Sequence, residues 1–268
     1  MTTVWYGPAA WEGPAPRRYG PVGRVAVVSD VHANVAALTA VLADIEAADV
    51  DLVVSCGDLT WGSHPDQTIA LMLGLGARAL FVRGNGERAV FDISVGRRTA
   101  DSPREAWVPA RHSASSLEFV AAIPFSIVIE ITGLGPVRFC HGSPRSDTEL
   151  VTPATPGERF AELCVGVDER VLVTGHTHMQ FDRLVAGRRS VNPGSVGLPY
   201  HDGEPGTAYW ALLGPDVTLR QTRYDVTAAL DAGAGSGDPA ADKVTDLLMS
   251  PPSPSEITAE TERLVFSD

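Results

Sequence analysis

The chain has 268 residues, of which 44% are hydrophobic and 20% charged, so it can bury one sizeable core or two small ones, and we expect a single domain with appendages. Its formal net charge of -12 argues against a groove for a long nucleic acid, because a polyanion is usually met by a basic surface. It has no run of about 18 apolar residues and no amino-terminal pattern typical of a secretion signal, so we expect no contact with a membrane and a cytoplasmic location. The three cysteines, Cys56, Cys140 and Cys164, are an odd count without the spacing of a disulfide framework and are expected to be packed thiols.

The first regular structure is predicted from Arg24 onward. Residues 1–23 are rich in Pro, Gly, Trp and Tyr and are predicted to form an irregular strap over the surface. The segment RVAVVSD, residues 24–30, is a short apolar run typical of a buried strand. Apolar residues recur at helical spacing between residues 35 and 45, with Asn34 as the expected N-cap. The sequence therefore predicts a strand followed by a helix.

The same alternation continues along the main domain, predicted to cover residues 24–230. DLVVSCGD and ALFVRGN indicate two more strands, with a helix around residues 65–75 between them. A helix over about residues 113–122 precedes a predicted hairpin of FSIVIEI and GPVRFCHG, and the part after residue 171 is mostly strands. Continuous apolar runs that alternate with helices are typical of a sheet covered on both faces, so the fold class is α/β.

Residues 231–268 are predicted to be a flexible linker and tail. The linker is the stretch DAGAGSGDPAAD, and the remainder has room for one or two short helices but carries no evident chemistry. We therefore expect deletion of residues 232–268 to leave the activity of the main domain largely intact.

Five predicted strands each end in a small cluster that contains a carboxylate, an amide or an imidazole. The clusters are Asp30-Val31-His32, Gly57-Asp58, Gly84-Asn85, His141-Gly142 and Gly175-His176-Thr177-His178. Ligand sites in open α/β sheets form at the carboxyl ends of strands, so we expect the clusters to converge in space. Asp, Asn and His side chains bind divalent metals, and residues two apart on an extended segment point to the same side.

Each cluster has an ordinary structural explanation when it is taken alone. An Asp-x-His pair is frequent by chance, a Gly-Asp or Gly-Asn pair usually marks a turn, and a histidine at a strand end is usually a hydrogen-bonded structural residue. Four of the seven histidines nevertheless fall at predicted strand ends in one series of motifs, and surface turns give no reason for that. We therefore interpret the clusters as one metal site.

The complete series resembles the motifs of the calcineurin-like metallophosphoesterases. The motifs are Asp30-x-His32, Gly57-Asp58, Gly84-Asn85-x-Glu87, His141 and Gly175-His176-x-His178. The resemblance spans about residues 24–223. The segments HGSPR at 141–145 and NPGSVGLP at 192–199 are similar to the small bacterial and archaeal branch of that superfamily.

The resemblance implies a four-layer α/β/β/α sandwich, with two mixed sheets flanked by helices and two divalent metal ions at the strand ends. It implies that one ion is bound by Asp30, His32, Asp58 and His178, and the other by Asp58, Asn85, His141 and His176. Asp58 would then bridge the two ions. Seven ligands without a thiolate fit Mn, Fe, Co, Ni or Zn better than Ca.

The function implied is hydrolysis of a small phosphate ester, with nucleotide-derived esters among the candidates, by a metal-activated hydroxide. The candidate catalytic residues are Asp58, Asn85, His141 and Arg145. Arg145 either grips a substrate phosphate or is a solvated loop residue. The alternatives are a phosphomonoesterase or protein serine/threonine phosphatase and, from another class, a non-catalytic scaffold of the same fold.

One position, Gly86, departs from the family pattern. Many members carry a histidine there that is thought to protonate the leaving group, and members without it are often phosphodiesterases. Gly86 therefore favours diesters as substrates. We expect Gly86→His to help alkyl leaving groups if the backbone accepts a side chain.

The remaining polar residues are expected to be structural. Arg83 and Arg88 are predicted to form an ion pair with Glu87, and Glu87 to orient a neighbouring ligand. His64, His112 and His201 are predicted to lie on the surface, Asn192-Pro193-Gly194 to form a tight turn, and Cys56 and Cys140 to face the core.

Overall fold

The computed structural model of the chain describes residues 4–6 and 15–267. The strands are β1 (Val4–Tyr6), β2 (Arg17–Val22), β3 (Val25–Val28), β4 (Leu52–Cys56), β5 (Ala79–Val82), β6 (Ser126–Ile131), β7 (Gly135–Cys140), β8 (Val171–Val173), β9 (Gln180–Val185), β10 (Arg188–Pro193), β11 (Thr207–Leu213), β12 (Val217–Arg223) and β13 (Val265–Ser267). The helices are α1 (Val35–Ala47), α2 (Pro65–Leu73), α3 (Asn85–Ser94), α4 (Pro103–Trp107), α5 (Ala114–Ala122), α6 (Gly157–Leu163), α7 (Val226–Ala234), α8 (Ala241–Met249) and α9 (Pro254–Thr261).

Two mixed sheets form the centre of the molecule. One has six strands in the order β2-β6-β7-β8-β10-β9, and the other has five in the order β12-β11-β3-β4-β5. In the five-stranded sheet β3, β4 and β5 run parallel, whereas β11 is antiparallel to β3. The carboxyl ends of β3, β4 and β5 therefore lie at one edge.

Three hydrophobic clusters show how the layers pack. One cluster lies between the two sheets and joins Val27 and Val54 of the five-stranded sheet to Ile129 and Phe139 of the six-stranded one. A second packs α1 and α2 on the outer face of the five-stranded sheet. A third packs α6 on β7, β8 and β9 of the other sheet. The order of layers is α/β/β/α, which confirms the predicted fold class.

The individual elements that the sequence predicts in the main domain are present. The side chain of Asn34 accepts a hydrogen bond from the backbone N–H of Ala37 and so caps α1 as expected. The predicted helices at 65–75 and 113–122 correspond to α2 and α5, and β6 and β7 form the predicted antiparallel hairpin. All four residues of β3 are buried, which explains why its sequence is apolar without alternation.

The predicted irregular strap at residues 1–23 is wrong for the part that the structure describes after residue 14. Residues 17–22 form β2, which pairs in parallel with β6 at the edge of the six-stranded sheet. Val4–Tyr6 form β1, and the rest of the segment before residue 15 lies outside the described residues. Gly20 and Pro21 disguised the strand, because both residues are depleted in strands and are tolerated mainly at edges.

The predicted flexible linker at the start of residues 231–268 is also wrong where the structure describes it, whereas the one or two short helices expected after it are present. Helix α7 extends to Ala234, α8 and α9 follow, and β13 pairs in parallel with β1. The Gly/Ala-rich stretch was misleading because small side chains also let helices pack closely, as α7 does on α1 and α8. Across the described residues, no helix combines the length and the apolar character needed to cross a bilayer.

Candidate metal centre

The ligand-bearing clusters lie in loops that directly follow β3, β4, β7 and β8, and in the first turn of α3 after β5. Five of the seven predicted ligands have a positive φ: Asp30, His32, Asp58, His176 and His178. The expectation that each pair sits on an extended segment is therefore wrong. The loops, and not extended segments, therefore bring these side chains together. A left-handed backbone is costly for residues other than glycine, and such residues are concentrated at functional sites.

The first group of side chains consists of Asp30, His32 and His178. Their ligand atoms all lie within 4.8 Å of one another. The two Nε2 atoms of His32 and His178 are 3.0 Å apart, and Oδ1 of Asp30 is 3.3 Å from His178 Nε2. Oδ1 of Asp30 is buried and accepts no regular hydrogen bond from any described residue, whereas Oδ2 accepts bonds from Ser29 Oγ and the His176 N–H.

The hydrogen bonds of the two imidazoles fix which nitrogen carries the proton. Nδ1 of His32 lies 3.2 Å from the Trp61 carbonyl oxygen, and Nδ1 of His178 lies 2.6 Å from that of Leu198. A carbonyl oxygen can only accept, so both Nδ1 atoms donate and both Nε2 atoms of the neutral rings present a lone pair. Two nitrogen lone pairs and a carboxylate oxygen thus face one another, an arrangement that a cation between them would stabilise.

The second group contains His141, Asn85 and Asp58. Nδ1 of His141 donates to the Cys56 carbonyl oxygen at 2.9 Å, so its Nε2 also presents a lone pair when the ring is neutral. This Nε2 lies 3.0 Å from Asn85 Oδ1 and 3.6 Å from Asp58 Oδ1. Acceptors again face one another, in a place where His141 is fully buried.

Two carboxylates link the groups. Asp58 turns Oδ1 toward His141 and holds Oδ2 3.9 Å from His32 Nε2, so its two oxygens face different groups. Oδ1 of Asp30 belongs to both sets of clustered ligand atoms, since it also lies 3.9 Å from His141 Nε2. The ring of His176 lies against that of His141, with centroids 4.9 Å apart. The structure brings all seven predicted ligands together, and their individual roles stay predictions.

The pKa values show how strongly these groups affect one another. Burial, reinforced by His178, lowers the pKa of His32 to about 3, and burial together with His141 lowers that of His176 to about 3. Burial raises the pKa of Asp58 to about 7, with Glu87 and Asp30 adding to the effect and His141 opposing it. A carboxyl group held in this way needs a positive charge nearby to stay ionised at neutral pH, and a bound cation supplies one.

The donor set therefore fits divalent metal ions. It offers carboxylate and amide oxygens and imidazole nitrogens without a thiolate, as the metals named from the sequence require. Cys56 and Cys140 are buried, and Cys56 Sγ contacts the Cys140 carbonyl oxygen rather than the centre. The prediction that these two thiols face the core is confirmed.

Glu87 holds the loop that carries Asp58. One of its carboxylate oxygens accepts hydrogen bonds from the Asp58 and Gly84 N–H groups, at 2.9 and 2.8 Å, and the other accepts from the N–H and Oγ1 of Thr60. The prediction that Glu87 orients a neighbouring ligand agrees with these contacts. The predicted pairing of Arg83 and Arg88 with Glu87 does not.

Both arginines contact Asp147 instead. Arg88 Nε lies 2.8 Å from Asp147 Oδ2 and its Nη2 lies 3.0 Å from Oδ1, while Arg83 Nη2 approaches Oδ2 at 3.4 Å. Asp147 follows His141 by six residues, so this pair fixes α3 against the His141 loop. The sequence distance of 59 residues between Arg88 and Asp147 hid the pairing, whereas Glu87 was the adjacent and more obvious partner.

Arg145, a candidate catalytic residue, is placed with Glu149. Its Nη2 and Nε lie 2.7 and 2.9 Å from Glu149 Oε1, and its side chain is 42% exposed. This geometry matches the solvated loop residue of the two alternatives. Its assignment as a phosphate-binding residue stays a prediction without support from these contacts.

Three histidines outside the motifs were predicted to be on the surface, and two of them are not. His112 is buried, with Nδ1 3.0 Å from the Val108 carbonyl oxygen, and His201 is buried against the ring of Tyr209. His64 is half-buried. Each buried ring has one hydrogen bond, since His201 Nδ1 accepts from the Gly203 N–H at 3.0 Å, and these contacts are not visible in the sequence.

Asn192 forms a turn and also makes hydrogen bonds to the loop that carries two of the predicted ligands. It does form the predicted tight turn, since its Oδ1 accepts a hydrogen bond from the Gly194 N–H. Its Nδ2 also donates to the Gly175 carbonyl oxygen and to Thr177 Oγ1, at 2.8 and 3.0 Å. Asn192 thereby holds the loop of His176 and His178, and the NPGSVGLP segment was the signal that pointed to it.

Gly86 is packed directly against the centre. Its N–H donates to Asp58 Oδ1 at 2.7 Å. A Cβ at this position would lie 2.8 Å from Asp58 Oδ1 and 3.0 Å from the Cβ of Trp61. The obstacle to a side chain at position 86 is this crowding, since the backbone there does not have a positive φ.

Sequence reasoning missed one further pair of residues near the centre, Arg104 and Asp238. Nε and Nη2 of Arg104 lie 3.2 and 3.0 Å from Asp238 Oδ2. Both residues line a cavity that also borders His32, and Asp238 comes from the segment predicted to be a linker. No motif marks either residue, so only the folded chain shows the contact.

An α/β/β/α sandwich with acidic and imidazole groups gathered at its strand ends defines a metal-dependent hydrolase of the phosphoesterase class. A family model described as the calcineurin-like phosphoesterase superfamily domain matches residues 24–213. The chain belongs to this superfamily, which confirms the resemblance seen in the motifs.

Several relatives share this architecture. The uncharacterized protein MJ0912 of Methanocaldococcus jannaschii is 26% identical over 233 residues, which cover 77% of this chain and 90% of the relative. The crystal structure of a metallophosphoesterase from Sphaerobacter thermophilus has a TM-score of 0.66 and 28% identity, and the match covers 85% of this chain and 98% of that one. The hypothetical protein PH1004 of Pyrococcus horikoshii has a TM-score of 0.72 at 18% identity, covering 86% and 99% of the two chains, and shows the fold alone.

Proposed function

We propose that the chain is a phosphodiesterase that uses two divalent metal ions to hydrolyse small, nucleotide-derived diesters. One observation carries the metal part of the proposal. The Nε2 atoms of His32 and His178, 3.0 Å apart, and Oδ1 of Asp30 face one another with their lone pairs, and a second such set forms around His141. Between neutral rings these contacts are repulsive. Burial opposes protonation, but nearby carboxylates outweigh it and raise the pKa values of His141 and His178, so a positive charge, from a proton or a metal ion, is favoured at this place.

Each side chain has a defined task in this proposal. Asp30, His32, Asp58 and His178 would hold one ion, and Asp58, Asn85, His141 and His176 would hold the other. When bound, two such ions lower the pKa of a water molecule and neutralise the phosphoryl oxygens of the ester. Glu87 keeps Asp58 in position through the Asp58 N–H. The Trp61 and Leu198 carbonyl oxygens orient the rings of His32 and His178 and select the neutral tautomer in which Nε2 is free to bind a metal ion.

The preference for diesters rests on Gly86. A positioned general acid contributes typically about 10²- to 10⁴-fold, and the contribution grows with the basicity of the leaving group. Gly86 supplies no proton, and its Cα faces Asp58 and Trp61 so closely that no side chain replaces it without rearrangement. The enzyme is therefore suited to esters whose leaving group departs without protonation.

Metal content and substrate preference test the two halves of the proposal. Elemental analysis of protein purified without chelator should give two transition-metal ions per chain, and an absence of bound metal at saturating supply would overturn the metal centre. Steady-state kinetics should give a higher kcat/KM for bis(p-nitrophenyl) phosphate than for p-nitrophenyl phosphate. A higher kcat/KM for phosphoserine peptides than for the activated diester would establish the phosphatase alternative instead.

A further inference from the structure

A cavity of about 390 Å³ lies beside the candidate metal centre and shares His32 with it. This volume falls within the range of small-molecule sites. The cavity is lined by the start of α1, by residues 62–64 and by the C-terminal helices α7 and α8. A group attached to a phosphate at the centre would therefore find it on the His32 side.

The lining combines small apolar side chains with a few polar ones. Ala33 lies just before α1, Ala36 lies in its first turn, and Ala229 and Ala232 come from α7. Leu198 and Leu248 add larger apolar surface. Small, apolar side chains on two neighbouring helices leave a smooth surface, which suits the face of a flat ring better than a branched or charged group.

Polar side chains supply hydrogen-bonding groups at the same cavity. Gln67, His64 and the Arg104–Asp238 pair all line it. The side chain of Asp238 is 2% exposed and that of Arg104 is 24% exposed, so the ion pair is largely shielded from water. An apolar cavity with a few fixed polar groups is the usual composition of a site that takes an uncharged heterocycle.

The wall formed by α7 and α8 is not part of the matched family domain, which ends at residue 213. It is nevertheless firmly attached. Arg104 of α4 holds Asp238, the His64 ring contacts the Ala232 carbonyl oxygen at 3.3 Å, and Glu262 accepts hydrogen bonds from Thr152 and Thr155. The C-terminal segment is thus positioned to select substrates at a centre built by the rest of the chain.

We propose that the cavity between α1, α7 and α8 binds a flat, uncharged ring of the ester, a nucleobase or an aryl group, while the phosphate lies at the metal centre. This inference rests on the proposed function for the position of the phosphate. It assigns the choice of substrate to Ala229 and the other lining residues of α7 and α8, none of which belongs to the motifs.

The test compares p-nitrophenyl diesters that differ only in the second substituent. These are methyl p-nitrophenyl phosphate, phenyl p-nitrophenyl phosphate and the p-nitrophenyl ester of thymidine 5′-monophosphate. We expect the wild-type kcat/KM for at least one ring-bearing ester to exceed that for the methyl ester by about 10-fold or more, mainly through KM. The phenyl and thymidine esters separate an aryl site from a nucleobase site.

Ala229→Leu fills the cavity, and Ala234→Leu places the same side chain at an exposed position of the same helix that does not line it. We expect Ala229→Leu to remove most of the advantage of the ring-bearing esters while leaving metal content and turnover of the methyl ester unchanged. Ala234→Leu should behave as wild type. Should Ala229→Leu fail to fold, Ala232→Val tests the same wall with a smaller side chain.

Equal kcat/KM values for the three esters, or equal effects of the two leucine variants, would overturn the inference. Calorimetric titration of the metal-loaded protein with thymidine, and with phenol as the aryl probe, measures ring binding without hydrolysis. If monoesters turn out to be the better substrates, the proposed function fails, but the titration still tests the cavity. Binding of thymidine or phenol to the wild type that is lost in Ala229→Leu would support a ring-binding cavity. If neither probe binds the wild type, the cavity does not bind a ring.

Discussion

Two regions of the molecule meet at the candidate site, and they carry different kinds of information. The loops after β3, β4, β7 and β8 contribute residues whose chemical type is restricted by the need to bind a metal ion, such as Asp58 and His178. The C-terminal segment from α7 to α9 contributes mostly small side chains, such as Ala229, whose role depends on position alone. The first region was identified from the sequence, whereas the second was predicted from residue 231 onward to be a flexible linker and tail without evident chemistry.

The difference has a physical cause. A metal ligand must offer a lone pair of the right character, so Asp, Asn and His are restricted to a few positions and stand out in a sequence. A cavity wall must only be apolar and of the right volume, which many residues satisfy. Chemistry at a site is therefore easier to infer from sequence than the shape of the substrate that reaches it.

The largest effect expected in the first region is that of Asp58→Asn. The substitution removes the charge of the carboxylate whose oxygens face both ligand groups. We expect kcat/KM for bis(p-nitrophenyl) phosphate to fall at least about 100-fold, comparable to losing an electrostatic stabiliser of a transition state, together with a loss of bound metal. Elemental analysis and steady-state kinetics check this.

His112→Ala is a suitable control for that experiment because it alters a buried polar residue outside the centre. It should lower stability while metal content per folded chain stays at the wild-type value. Wild-type activity and metal content in Asp58→Asn would show that the two ligand groups do not share this carboxylate.

The next largest effect is expected in the second region. A chain that ends at Gly235 lacks Asp238, α8, α9 and β13, and so loses the partner of Arg104 and the hydrogen bonds of Glu262. We expect kcat/KM for the ring-bearing ester to fall about 10-fold, equal to about 1.4 kcal/mol. Metal content should be retained, because the predicted ligands all precede α7.

Asp238→Asn makes a smaller version of the same change, and its effect on kcat/KM should lie between those of the wild type and the truncated chain. The expectation that residues 232–268 are dispensable rested on their separation from the strand ends, and the cavity beside His32 removes that premise. A truncated chain with unchanged kinetics for all three esters would restore it.

The sequence predicted buried strands alternating with helices and the convergence of the strand-end clusters because both depend on short-range patterns, whereas the four layers and the set of seven ligands came from the family resemblance. Apolar runs such as that of β3 identify buried strands, and parallel strands bring their carboxyl ends to one edge. It did not predict β2, because Gly20 and Pro21 interrupt its pattern, or the pairing of Arg88 with Asp147. These features depend on contacts between distant parts of the chain.

Gly86→Ala tests how closely the first region is packed around Asp58. The added Cβ would lie 2.8 Å from Asp58 Oδ1, so the carboxylate or the start of α3 must shift. We expect a loss of several-fold in kcat/KM, as small displacements of catalytic groups commonly produce, with a weaker affinity for metal in titrations. Gly86→His is expected to give no gain of activity on alkyl esters, because a histidine has a Cβ in the same crowded position.

Gly74→Ala is the matched control, because it adds the same methyl group at the end of α2, away from the predicted ligands. Its Cβ would lie 3.2 Å from the Leu71 carbonyl oxygen, a milder contact than the one at position 86. Gly74→Ala should leave metal affinity unchanged. Wild-type metal affinity in Gly86→Ala as well would show that the centre accommodates a side chain at position 86.

Substitution of Asp147 is expected to change the stability of the fold and not the hydrolytic reaction itself. Burial alone would raise its pKa, but Arg88 and Arg83 hold the pKa below the usual 3.8. A lowered folded-state pKa stabilises the fold above the unfolded-state pKa, and this contribution is lost as the pH falls through the folded-state value. We expect Asp147→Asn to lower the free energy of unfolding at pH 7 by about 2 to 4 kcal/mol, because it removes the charge of a buried carboxylate that forms ion pairs with both arginines.

Urea denaturation at pH 7 and in acid measures this difference. It should begin to shrink below about pH 4, where the carboxyl group of the unfolded chain takes up a proton, and should be smallest below the lowered folded-state pKa, where the folded chain is protonated as well. A difference that stays constant into acid would mean that the ion pairs contribute little and that Asp147 acts through neutral hydrogen bonds.

The smallest effect is expected for Arg145→Ala, at the residue whose two interpretations the sequence left open. Arg145 pairs with the buried Glu149 within the loop after His141, and the arginine side chain itself is 42% exposed. If Arg145 only braces the loop after His141, kcat/KM for the diester should change less than about twofold, a difference of about 0.4 kcal/mol. A residue that binds the substrate phosphate would instead give a KM increase of about 10-fold or more at unchanged stability, since hydrogen bonds to charged groups contribute about 1.5 to 3 kcal/mol.

Arg145→Lys separates the two interpretations further, because a lysine keeps the charge but not the bidentate contact with Glu149. Full rescue of KM by lysine would indicate a role for the charge alone, and wild-type KM in the alanine variant would remove Arg145 from the candidate catalytic residues.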